Sequence, residues 1–377
     1  NSIFHVSFGV SPEPFWLVFL LRAQTLAPSI HARVAEVKAL AQLPAATKDL
    51  LFPVLVARPW PNAKQLSLTW DRLGAAFEGR RFALDLDRTR HGHSSDKPAA
   101  AEFNELFAPE RAYANYYSAV EAFSGAVPVL RTNSDGVSHL DQQLAHAERL
   151  DRGLFVRIEY GFTRNPLSVL DALSEHKIPD LVLYIDAGWS RELLLREAWV
   201  TALVEKITAS SVSAEVVLCG SSFPDTFEGI GLRGEIQVKE RKLYADVVRR
   251  FNAPPLKYGD WGSTRAPSLD ATPMTPRARI DLPMPEVWLA FRGERNEDEV
   301  EDYQSIATRL VADRNWPSDL NIWGTYMIQS TVEQAPGCIS SPAAAAAARI
   351  NIHLHRQAYF EAPVAVSDGD EPFTDDL

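Results

Sequence analysis

Cysteine and methionine are scarce in this chain, with two and three residues among 377. Two thiols, Cys219 and Cys338, can build neither a disulfide framework nor a zinc cluster. Cys219 sits inside an apolar run, where a buried structural thiol is the expectation, and a reducing cytoplasm fits. Long hydrophobic runs are also missing. The longest early one, FWLVFLL over 15–21, falls short of the about 20 residues that span a bilayer. No basic stretch precedes it, as a signal peptide would require. The expectation is no membrane segment, with 1–26 an N-terminal extension whose apolar stretch is irregular or docks elsewhere. Positive charge is in deficit: 38 Lys and Arg against 49 Asp and Glu give a formal net charge of -11. That argues against nonspecific binding to nucleic acid or anionic membrane, although a local basic cleft stays open. The Gly220-Ser221-Ser222 turn is neither a Walker loop nor GxGxxG, and GxSxG and HExxH are absent, so nucleotide binding through that turn and the common hydrolase templates have no support.

What is present is material for a large core, 46% hydrophobic and 10% aromatic. The stretch LVLYIDAGW over 181–189 sets the plan. Side chains alternate along a strand, so Leu181, Leu183 and Ile185 share one face and Val182, Tyr184 and Asp186 the other. Apolar residues on both faces indicate a parallel strand covered on both sides, ending in a carboxylate. Similar runs fall at 29–32, 52–57, 82–87, 127–131, 154–160, 215–220 and 256–260, alternating with helical periods. Alternation of this kind implies βαβ units, and eight strands are the number a closed (β/α)8 barrel needs. A further pair, 277–281 and 286–291, reads as a hairpin laid over the mouth; alternatively 286–291 closes the barrel in place of 29–32. Helices are expected at 34–43, 66–77, 101–123, 139–150, 166–176, 192–210, 235–251, 300–313, 325–333 and 342–360. The domain is then 27–365, followed by an acidic tail over 366–377.

Ligands of parallel sheets and barrels bind at the carboxyl ends of the strands. The inward residues expected there are Arg58, Asp85, Asp87, Arg131, Arg157, Glu159, Asp186 and Asp260, with Ser221, Ser222, Lys257 and Tyr258 nearby. Three arginines facing five carboxylates leave three resolutions. The acids bind a divalent cation; or one acid, with Asp85, Asp186 and Asp260 the candidates, stays protonated as a general acid; or Arg and acid simply pair. The arginines suit phosphate or carboxylate by their bidentate geometry. His91 and His93 fall in a polar loop, where solvated side chains are expected. His353 and His355 lie two apart on a helix and diverge, so they make poor co-ligands.

The segments AEVKALAQLPAATKDLLFPVLVARP (35–59), ALDLD (83–87), VRIEYG (156–161), LYIDAG (183–188), VVLCGSSFP (216–224), YGDWG (258–262) and RARIDLPMPEVWLAFRGE (277–294) together carry a resemblance. The chain resembles the phage beta-protein family, with a namesake expected in T-even bacteriophages and further members in bacteria. The resemblance implies a shared architecture and a phage or phage-defence setting; it implies no particular reaction. By position it points to Asp85, Arg157, Asp186, Ser222, Asp260, Arg279 and Arg292. Two departures stand out: Ala57-Arg58 replace an acidic position, and residues 1–26 are additional. Two functions follow. One is an anion binder at the strand ends, for a phosphorylated or nucleotide-like ligand and with metal-assisted hydrolysis open. The other is a non-catalytic component of a defence or counter-defence complex that docks a protein partner.

Overall fold

The computed structural model describes residues 21, 24–92, 97–251, 256–266, 277–293 and 299–362. Two parallel sheets form its centre. One runs β1 (Ser29–His31), β2 (Val54–Ala57), β3 (Phe82–Leu86), β4 (Ala126–Pro128), each strand pairing with the next. The other runs β5 (Leu154–Glu159), β6 (Leu181–Trp189), β7 (Glu215–Ser221) and, skipping β8 (Arg233–Gln237), β9 (Leu256–Tyr258). β8 instead joins β10 (Arg279–Pro283) and β11 (Val287–Arg292) in an antiparallel sheet of order β10-β11-β8.

Twelve α-helices connect these strands among the described residues. The first six are α1 (Val34–Ala41), α2 (Ala45–Asp49), α3 (Ser67–Phe77), α4 (Pro98–Glu105), α5 (Ala114–Ala122) and α6 (Leu140–Leu150). The others are α7 (Pro166–Ser174), α8 (Glu197–Ala209), α9 (Lys239–Val248), α10 (Glu299–Val311), α11 (Trp323–Val332) and α12 (Pro342–Ala358). Local chemistry sets their starts. Asn165 and Ser341 cap α7 and α12 by accepting from Ser168 N and Ala344 N, each ahead of a proline in the first turn.

Alternation along the strands builds two apolar layers. Leu55, Leu84, Leu183 and Leu218 point outward to the helices. Val54, Val129, Phe155, Val182, Tyr184 and Val217 meet in an interior common to both sheets. Backbone contacts also run between the sheets. Val129 bridges Phe155 in parallel, and Leu130 N donates to Phe155 O at 2.7 Å. At the other edge Ala27 N donates to Tyr258 O at 3.0 Å and Ser29 N to Asp260 O at 2.7 Å.

The sequence reading needs four corrections here. The helix expected over 101–123 is two, α4 and α5, separated by left-handed residues Arg111, Ala112 and Tyr113. The helix expected over 235–251 begins as strand β8, which exposes alternate side chains. β6 runs past Asp186 to Trp189 with a register shift between them. The hairpin pairs as expected, Asp281 opposite Ala290, but its apolar face packs under α10, α11 and α12. Its Trp288 meets Phe223, just after β7, at 5.2 Å, so the hairpin stands beside the strand ends. The extension before residue 21 and the tail over 366–377 lie outside the described residues, as does His93.

Candidate functional site

Asp85, Arg157 and Asp186 come from three strands and meet in one buried chain of charge. Arg157 Nη1 donates to Asp85 Oδ2 at 2.9 Å, and its Nη2 and Nε donate to Asp186 Oδ2 at 2.5 and 3.2 Å. Arg131 Nη1 extends the chain to Asp85 Oδ1 at 2.8 Å. All four side chains are at least nine-tenths buried. The register explains the meeting: Asp186 stands level with Glu159, two pairs beyond Arg157 and Tyr184 and on the same face, so a long guanidinium reaches it. The remaining acceptor sites are filled. Asp186 Oδ1 accepts from Gly188 N at 2.7 Å and Trp261 Nε1 at 3.3 Å, and Asp85 Oδ1 from Leu86 N at 2.7 Å. Burial alone would raise the Asp85 carboxyl, but Arg131, Arg88 and Arg157 outweigh it and hold the group below the usual carboxylate range. This is the paired resolution of the three expected from the sequence.

Glu159 lies at the rim and takes 2.8 Å contact from Arg88 Nη1. Burial raises its carboxyl, against the pull of Arg157 and Arg88. Arg58 follows β2 and reaches Asp87 Oδ2 only at 3.6 Å. Burial, then the neighbouring Arg33 and Arg90, lower the Arg58 guanidinium to about 10. Arg88, His31 and Trp261 belong to this end and escaped the sequence reading. Each carried a signal: Arg88 directly follows FALDLD, Trp261 stands in YGDWG, and His31 ends the first strand. Trp261 lies under Arg157, 4.8 Å from guanidinium carbon to ring centre, and 5.0 Å from the His31 ring.

Other expected members lie elsewhere. Tyr258 and Asp260 share the outward face, because Gly259 and Trp261 take the inward positions. Asp260 Oδ2 meets His353 Nε2 of α12 at 2.8 Å and accepts from Tyr258 OH at 3.0 Å, while Oδ1 accepts from Gly262 N at 2.8 Å. Burial works against its ionisation; the His353 partner prevails and lowers the carboxyl. Ser222 also turns outward, to Glu240 of α9: its N and Oγ donate to Oε1 and Oε2 at 2.5 and 2.6 Å. Burial pushes the Glu240 carboxyl up to about 7 despite those bonds. Arg279 and Arg292 belong to the antiparallel sheet. Arg279 pairs with Asp281, and Arg292 donates to the Phe227 and Ile230 carbonyls. Ser221 donates to Thr264 O, and Lys257 holds the Leu21 and Gln24 carbonyls. His91 is exposed and stacks on Phe107 at 4.4 Å. His355 goes to Thr47 rather than joining His353. Among the described residues no group of three or more His, Cys, Asp or Glu is placed to hold a metal ion, and no helix is long and apolar enough to cross a membrane.

The fold and site therefore define an α/β protein of parallel strands whose carboxyl ends carry a buried, fully paired ion chain. This chain belongs to the beta protein family: the family model described as "Beta protein" matches residues 27–359. It is similar to "Protein beta" of Enterobacteria phage P4, 24% identical over 338 residues, which cover 88% of this chain and 92% of that protein. This relative belongs to phage P4, not to the T-even phages expected for the namesake.

Proposed function

We propose that this chain is a closed (β/α)8 barrel that binds a phosphate-bearing anion at the carboxyl ends of its strands, and that its buried acids position the site instead of reacting. Two kinds of contact support closure. The Val129–Phe155 bridge links the two sheets at one edge, and the bonds from Ala27 and Ser29 to the Tyr258 and Asp260 carbonyls link them at the other. Side chains of both sheets also fill one interior.

The observation that carries the anion reading is a contrast in pairing. Inner guanidinium–carboxylate contacts run from 2.5 to 2.9 Å. Outside them, Arg58 meets Asp87, and Arg33 meets Glu36, only at 3.6 Å. Arg33, Arg58 and Arg90 crowd one another, and an incoming anion relieves that repulsion. Guanidinium groups suit phosphate because they donate two parallel hydrogen bonds. Asp85, Asp186 and Asp260 have every carboxylate oxygen engaged, so proton transfer or metal ligation there would first break a buried pair. The relative from phage P4 supports a phage setting. The test is a thermal-shift series with inorganic phosphate, nucleotides and chloride controls. A phosphate-specific rise in Tm that Arg58→Ala abolishes supports the reading, since a ligand of the native state stabilises it; no rise with any anion sinks it.

A second reading is a docking surface for a protein partner in a defence or counter-defence complex. It is favoured by Leu195, 83% exposed, and by Tyr160, which sits under Arg196 at 4.2 Å and against Trp199 at 5.2 Å. Leu195→Glu abolishing a co-purifying partner would favour it over the first.

A further inference from the structure

We infer that His31 and Asp87, on either side of Arg58, form a subsite for a neutral hydroxyl- or amino-bearing group, so that the ligand is a phosphate ester of a sugar or nucleoside. This rests on the anion-binding reading above and names the class of ligand. The three residues sit at neighbouring strand ends. β1 pairs with β2 and β2 with β3; His31 is level with Val56, and Ala57 with Leu86. Asp87 is therefore level with Arg58, and His31 lies two residues deeper.

His31 is completely buried, yet neither ring nitrogen has a hydrogen-bond partner. Trp261 covers the ring at 5.0 Å. Burial, with the charges of Arg33, Arg58 and Arg157 around it, holds the imidazole well below its usual range and neutral. The Arg265 carbonyl favours the charged form but falls outside hydrogen-bond geometry. A neutral imidazole presents one donor and one acceptor. Asp87 is buried as well. Its Oδ1 accepts from Thr89 N at 3.0 Å and Thr89 Oγ1 at 2.6 Å, while Oδ2 has no hydrogen-bond donor.

Folded proteins leave few buried polar atoms unsatisfied, and here three belong to one corner. Their chemistry sorts the ligand. A phosphate ester is mostly a dianion at neutral pH and then has no proton to donate, so the Asp87 carboxylate repels it and the acceptor nitrogen of His31 offers it nothing. A hydroxyl or amino group does fit: it donates to Asp87 Oδ2 and exchanges a hydrogen bond with His31. The phosphate of the same ligand then lies on Arg58 and Arg33, whose cations are loosely held.

The experiment is calorimetric titration of the full chain with inorganic phosphate, ribose 5-phosphate and adenosine 5′-monophosphate. At least one ester is expected to bind ten-fold or more tightly than phosphate. Asp87→Asn and His31→Gln, checked for folding by circular dichroism, should lose that preference, and phosphate itself should bind no more weakly than to wild type. Arg58→Ala should weaken all three. Equal affinity for phosphate and both esters, or a preference that survives Asp87→Asn and His31→Gln, overturns the subsite and leaves the anion reading standing. Binding of none of the three overturns both.

Discussion

Arg157 reaches two carboxylates at once, and that makes it the residue whose loss costs most. Removing it leaves the buried Asp186 bonded only to two neutral donors, with no cation in hydrogen-bond contact. Breaking a buried pair by deleting one partner costs about 3–5 kcal/mol, because the other charge stays behind. Arg157→Met is expected to lose that much in urea unfolding. The double variant Arg157→Met/Asp186→Asn should lose clearly less than the sum of the two single changes. Glu240 supports a pH prediction of the opposite kind. Burial lifts its carboxyl from 4.5 to about 7 in the folded chain. The folded state then holds a proton that the unfolded state releases at lower pH, so this contribution is whole below pH 4.5 and is lost as pH rises to about 7. The loss amounts to roughly 3 kcal/mol. Glu240→Gln keeps an acceptor for Ser222 N and a polar partner for Ser222 Oγ. Its stability relative to wild type should rise between pH 4.5 and 7 and then level off, read from unfolding midpoints across that range.

Elements were legible where one period ran unbroken. β6 and its neighbours alternate apolar faces, and the sequence reading places them within a few residues. The misplacements have local causes. β8, RGEIQ, has too little apolar content to announce a strand; it owes its form to pairing with β11, which lies 50 residues onward. Asp260 looked inward because it ends a strand run, but β9 is short and Gly259 occupies the inward slot. That glycine is required by the seam between the two sheets. A Cβ there would lie 2.5 Å from Ala27 O and 3.2 Å from Tyr184 OH. Backbone cannot yield as a side-chain end does, so Gly259→Ala should cost at least the about 1–3 kcal/mol of an overpacked core. If β9 and the segment before β1 were free to part, the same change would be nearly silent in a thermal melt; that outcome would count against closure.

The net charge of -11 gives no hint of a cationic rim, because the surplus acids are spread over the whole chain while Arg33, Arg58, Arg90 and Arg265 gather at one end. The two ends of the interior are finished differently, and that difference says where chemistry has room. At the carboxyl end stand ion pairs and orphaned polar atoms. At the amino end, Leu21 enters the interior with Phe52, Val54 and Phe155. Its N donates to Glu215 Oε1 at 2.7 Å, and its carbonyl is held by Lys257 Nζ, which also donates to Gln24 O at 2.9 Å. Leu21 precedes the family-matched region, which starts at residue 27. The apolar run over 15–21 reads from sequence as a docking segment or an irregular extension; residues 15–20 lie outside the described residues, and Leu21 packs within the chain's own core. A Leu that closes one end of a packed interior is worth about 2–5 kcal/mol against Ala. Leu21→Ala should lower the unfolding midpoint accordingly while leaving the phosphate affinity proposed for the opposite end within two-fold of wild type. If anion affinity instead falls with stability, the two ends are coupled through the interior packing of Val54, Phe155 and Tyr184, and the site has to be understood as a property of the whole interior instead of its rim.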